Sequence, residues 1–104
     1  MEKRARIEIE YCTQCGFLLR AGWLAQELLQ SLGDELGEVA LVPGRGGVFV
    51  IRVNGEEIFS RRRDGVFPDA LAAKRRIAAA IGSSRHFGHE IATDDKGIDT
   101  PGRD

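Results

Sequence analysis

The hydrophobic period of this chain changes near its start from two residues to three and four, and its only two cysteines sit on the change. From Ala5 to Tyr11 the pattern alternates, with Ile7, Ile9 and Tyr11 on one side and Arg6, Glu8 and Glu10 on the other. That is a half-buried strand. From Gly16 to about Leu32, Phe17, Leu18, Ala21, Leu24, Ala25, Leu28, Leu29 and Leu32 recur at helical steps and line one side of a helix, which Gly33 can stop. A strand leading directly into a helix returns by a right-handed crossover to a parallel neighbour, so a β-α-β unit is already implied.

Glu38 to Val42 is a short strand that Pro43 and Gly44 are expected to end, followed by a loop of Arg45, Gly46 and Gly47. Val48 to Val53 is rich in β-forming residues. Asn54-Gly55 then gives a hairpin signal, because a type I′ turn needs positive φ at both central positions, and Glu56 to Ser60 is the antiparallel partner. Arg61-Arg62-Arg63-Asp64-Gly65 reads as a solvated turn, and a second helix runs from a first turn holding Pro68 to Ile81, with Gly82 as its end. The order β-α-β-β-β-α predicts an α/β (α+β) fold with a mixed sheet and both helices on one face, the thioredoxin-like arrangement. The domain is expected over residues 1–91, with 92–104 a flexible C-terminal tail too polar to offset its ordering entropy.

At 104 residues there is room for one core. No apolar run approaches the roughly 20 residues that cross a bilayer, so no membrane association is expected. The basic start, Met1 to Arg6, lacks the apolar stretch of a secretory signal, which points to the cytoplasm. A formal net charge of -1 provides no overall positive field for nucleic acid. In a reducing compartment a close cysteine pair is more often catalytic or metal-binding than structural.

Cys12-Thr13-Gln14-Cys15 places two thiols within one turn of each other, where they can close a disulfide. The thiolate is the reactive form, and the N–H groups and dipole of a helix starting near Cys15 or Gly16 favour it. Gly16 leaves the backbone open to a substrate sulfur. Exchange through a mixed disulfide needs no metal and no cofactor. Read as the exposed end of the strand, Cys12 is the expected attacking thiol and Cys15 the resolving one.

Tyr11 to Cys15, Arg20 to Leu29, Pro43 to Phe49, Gly65 to Pro68 and Phe87-Gly88-His89 together resemble the bacterial members of the selenoprotein W / Rdx family, over about residues 5 to 91. The resemblance implies a thioredoxin-like fold and a thiol-based oxidoreductase role, linked in animal relatives to glutathione and to partner proteins. Glutathione or a protein disulfide is therefore the expected partner. Animal members carry selenocysteine where Cys15 stands, which implies that the second position can attack instead. Thioredoxins carry a cis-proline opposite the active site. Here Gly47 falls at that place, so Gly46, Gly47 and Val48, with Gly16, are the expected substrate-binding residues.

Three other features compete for a role. His86 and His89 add two nitrogen ligands to the cysteines, but their separation from Cys15 is far from zinc-finger spacing, and no metal site is expected. Arg61-Arg62-Arg63 with Lys74-Arg75-Arg76 reads as a solvated turn and a polar helix face in preference to an anion site. Leu19 and Trp23 lie four residues apart on the outer side of the first helix, either covered by the tail or forming a homodimer or partner surface.

Overall fold

A computed structural model describes residues 4–85. The elements are β1 (Ala5–Cys12), α1 (Leu18–Leu32), a 3-10 turn (Gly33–Glu35), β2 (Leu36–Gly44), β3 (Phe49–Val53), β4 (Glu56–Ser60), α2 (Arg61–Asp64) and α3 (Ala70–Ile81). One four-stranded sheet has the order β2-β1-β3-β4. Strand β1 runs parallel to β2 and antiparallel to β3, and β3 and β4 form the hairpin. This is the mixed, thioredoxin-like α/β sheet that the periodicity predicts. Asn54 at φ 52 and Gly55 at φ 86 make the turn their types required.

The core lies on one face of the sheet. Ile9 stands opposite Ile51, and Ile7 opposite Val53, so the apolar halves of two alternating strands coincide. Leu24, Leu28 and Leu32 of α1 and Ile77 of α3 are buried with them, which puts both long helices on this face. The other face carries charge. Arg6 pairs with Glu8 and, at 3.0 Å, with Glu38, while Arg52 pairs with Glu10 at 2.7 Å. The hydrogen bond from Arg6 holds the Glu8 carboxyl below its ordinary range. Solvent screens such exposed pairs, so they add little to stability. Their larger effect is on register, since a slip of one residue would carry charges into the core.

Several boundaries differ from expectation. Strand β2 runs through Pro43 to Gly44 instead of ending at Val42. It is an edge strand with β1 on one side only, where a missing N–H is tolerated. Helix α1 starts at Leu18, not Gly16, and Leu18 and Leu29 are exposed on the flank of the apolar stripe, beyond Ala25. Pro68 precedes α3 and does not sit inside it. The cap is Asp69, whose carboxylate accepts from Ala72 N–H at 2.7 Å.

The arginine run is a one-turn helix, α2, closed at both ends. Ser60 Oγ accepts from Arg63 N–H, and Asp64 accepts from Ser60 N–H at 3.1 Å. At the end of α3, Gly82 adopts φ 74 and Ser83 N–H reaches back to the Ala78 carbonyl at 2.8 Å, which is a Schellman closure. Among the described residues no helix is long and apolar enough to cross a membrane. His86, His89 and the tail expected over 92–104 lie outside the described residues.

Candidate functional site: the cysteine turn

Strand β1 ends at Cys12, and the turn over residues 13–17 leads into α1. Both neighbours of β1 hold this end. Cys12 N–H donates to the Val48 carbonyl at 2.8 Å, and Thr13 N–H donates to the Gly44 carbonyl at 3.1 Å. The Thr13 hydroxyl reaches the same Gly44 oxygen at 3.3 Å. The turn is thus pinned between the last residue of β2 and the loop before β3.

Cys12 and Cys15 are joined by a disulfide, with Cα atoms 5.4 Å apart, inside the range a disulfide spans without moving the backbone. Their surroundings differ. Cys12 is 1% exposed, whereas Cys15 is exposed to solvent. The strand end is therefore not the accessible position it was expected to be. Gly16 has φ +74 and nothing within 4 Å of the place a Cβ would occupy, so the residue after Cys15 is open on that side.

Helix α1 opens with no side-chain cap and no acidic residue in its first turn. Its first N–H groups therefore present the positive end of the helix dipole close to the cysteine turn, two residues later than the period predicted. Phe17, at the cap position, packs edge-on against Phe67 at 4.8 Å and Phe49 at 6.3 Å between ring centroids. The Arg20 guanidinium lies 4.1 Å from the Phe67 centroid, and that of Arg61 lies 4.9 Å from it. This aromatic support was missed in the sequence, where Phe67 stands between two turn signals. The one available clue was the short Gly65 to Pro68 block.

Gly46 (φ +71) and Gly47 (φ +77) form the turn before Val48, and no atom lies within 4 Å of a Cβ at either. Both glycines and Val48 thus belong to the same loop that pins Cys12. Leu19 and Trp23 stand elsewhere, on the outward side of α1, 85% and 46% exposed. The two basic runs are divided by their pairing. Arg76 and Arg63 bind Asp64, and Lys74 lies 3.2 Å from Glu27 of α1. Arg61 and Arg62 pair with no carboxylate among the described residues.

Comparison with known proteins agrees with this geometry. The family model described as "Rdx family" matches residues 6–79. The chain is 36% identical over 78 residues to Migration and invasion enhancer 1 of Bos taurus, and 35% identical over 77 residues to that of Mus musculus. These alignments cover 70% and 69% of this chain and 64% of each relative, so the chain spans just under two thirds of their length. A crystal structure from Bordetella parapertussis is 55% identical with a TM-score of 0.73, over 75% of this chain and 99% of that one. A selenoprotein W-related protein from Vibrio cholerae is 46% identical with a TM-score of 0.74, over 76% and 99%. With the cysteine pair at disulfide distance in the turn where β1 meets α1, these matches support a redox-type role. This chain belongs to the Rdx family.

Proposed function

We propose that this protein is a thiol–disulfide oxidoreductase in which Cys15 attacks and Cys12 resolves. The observation that carries the reading is the asymmetry of the pair: one disulfide joins an exposed sulfur to a buried one. In the reduced protein the Cys15 thiolate attacks a substrate disulfide, forming a Cys15–substrate S–S bond and releasing one substrate sulfur as a thiolate. The Cys12 thiolate then attacks the Cys15 sulfur, closes the Cys12–Cys15 disulfide and releases the second substrate sulfur. The protein loses two electrons and two thiol protons, and the two product thiols gain them. A thiol such as glutathione, or a protein dithiol, returns the pair to its reduced form in a reducing cytoplasm. Gly16, Gly46, Gly47 and Val48 supply open backbone to the substrate, and no cofactor enters any step.

Trapping separates the two cysteines. Cys12→Ser, mixed with glutathione disulfide, is expected to accumulate a stable mixed disulfide at Cys15 by mass spectrometry, and Cys15→Ser is expected to accumulate far less. If neither variant is trapped and the parent pair never reopens in a glutathione titration, the exchange reading fails.

A second reading is favoured by the exposure of Leu19 and Trp23 on one helix face. In it the scaffold presents this pair to a second copy or to a partner protein, and the cysteines act as a redox switch. Association that is lost in Trp23→Ala while thiol exchange is retained assigns the two roles to separate surfaces.

A further inference from the structure

Beside the loop of Gly46, Gly47 and Val48 is an open groove of about 500 Å3 whose walls include Arg45, Arg61 and Arg62. Glu10 and Glu57 also line it, but each already has its own arginine. Arg52 lies 2.7 Å from Glu10, and Arg63 lies 2.9 Å from Glu57. Arg45, Arg61 and Arg62 form no ion pair among the described residues. One concavity thus holds three cations that the fold leaves uncompensated, in a chain whose overall charge is -1.

Two of these side chains are positioned by contacts that leave their charge unpaired. The Arg61 guanidinium lies 4.9 Å from the Phe67 centroid and 5.5 Å from that of Phe17. Arg62 Nη2 is 3.5 Å from the Gly46 carbonyl oxygen, against the groove's glycine wall. Planar guanidinium groups held at the mouth of a groove match carboxylates in two-point geometry. The groove also adjoins the cysteine turn. Val48 lines it and holds Cys12, while Phe17, beneath Arg61, follows Cys15 by two residues. Arg61 therefore lies against the ring of a residue two positions from Cys15, so an extended peptide whose disulfide meets Cys15 can reach it within a few residues.

We propose that this groove is a carboxylate subsite, which selects polypeptide disulfides with Asp or Glu a few residues from the reacting cysteine. The substrate preference rests on the dithiol exchange proposed above. The subsite itself is a binding property that also exists with the disulfide closed.

The test therefore begins with oxidised protein, which has no thiolate to attack. A fluorescein-labelled hexapeptide with three glutamates and no cysteine, and its glutamine counterpart, are titrated by anisotropy at low and moderate salt. The acidic peptide is expected to bind about tenfold tighter at low salt. Arg45→Gln and Arg62→Gln are each expected to lower its affinity about three- to fivefold, and together to bring the two peptides close to equality. Melting curves of the variants confirm that they fold. Equal binding of the two peptides, or a preference unchanged in the double variant, overturns the subsite.

Reduction of a matched acidic and neutral pair of peptide disulfides is then followed with reduced protein. Faster reduction of the acidic one, with the ratio collapsing in the double variant, supports substrate selection. Equal rates despite selective binding overturn it. Reduction of neither removes the exchange reading and its substrate preference, while the binding result still decides the subsite.

Discussion

The backbone N–H of Cys12 lies 2.8 Å from the Val48 carbonyl oxygen, so the buried cysteine is secured by the loop that carries Gly46 and Gly47. Its side chain is buried, while Cys15 stands three positions along an exposed turn. In reduced protein, brief treatment with iodoacetamide is expected to modify Cys15 at least about tenfold faster than Cys12, because the thiolate must be accessible to react. Peptide mapping of the singly alkylated species checks this. Equal labelling would remove the assigned order of attack.

Gly44 ends β2 against the side chains of Glu10 and Val48. A Cβ there would stand 2.6 Å from Glu10 Oε2 and 2.8 Å from Val48 Cγ1. Gly44→Ala makes the Glu10 carboxylate and the Val48 side chain turn aside, and is expected to cost about 1 kcal/mol in urea unfolding, the low end of overpacking. It also displaces Val48, so the measured redox equilibrium of the pair with glutathione is expected to shift with it. Gly47→Ala meets no neighbour, and its expected cost of about 1–2 kcal/mol comes from φ +77 alone.

Phe49 is 2% exposed and meets both Phe17 and Phe67 edge-on. Phe49→Ala is expected to lose about 3–5 kcal/mol in chemical denaturation, within the range for truncating buried aromatic residues. Phe67 is only half-buried, so Phe67→Ala is expected to cost less while removing the one ring that Arg20 and Arg61 share.

Asp64 links Ser60, Arg63 and Arg76. The hydrogen bond from Arg76, followed by that from Ser60 N–H, holds its carboxyl down from 3.8 to about 2. A carboxyl depressed in the folded state stabilises the fold above its unfolded value, near 4, and the contribution disappears as pH falls toward about 2. The melting temperature of the parent protein is therefore expected to fall more steeply between pH 4 and pH 2 than that of Asp64→Asn. Parallel curves would show that Asp64 is not the group responsible.

Leu19 and Trp23 are exposed, so replacing both with Ser is expected to change the unfolding free energy by no more than about 0.5 kcal/mol each. Mass in solution, compared before and after, tests whether this face joins copies of the chain. A large loss of stability would mean that the pair is covered within the protein.

Alternation in residues 5–11 and the helical stripe from Ala21 to Leu32 were legible because each period states which side of an element is buried. The hairpin was legible because Asn54-Gly55 favours one turn. Pro43 misled for a clear reason. Its cost depends on whether the strand has one neighbour or two, and that is a property of the sheet. The basic runs were equally opaque, since Arg61 and Arg63 look alike in sequence and differ only in which carboxylates the fold brings near them.

The sequence by itself determined the strands, the two long helices and their order, the position of the cysteine pair at a strand-to-helix change, and the resemblance that the Rdx match bears out. These follow from local periods and spacing. Only the tertiary structure decided that Cys12 is buried and Cys15 open, that three phenylalanines support the turn, and that Arg45, Arg61 and Arg62 share a groove. Burial and charge pairing are set by which distant segments meet. Here that meeting depends on the crossover from β1 to β2 and on the loop from Gly44 to Val48.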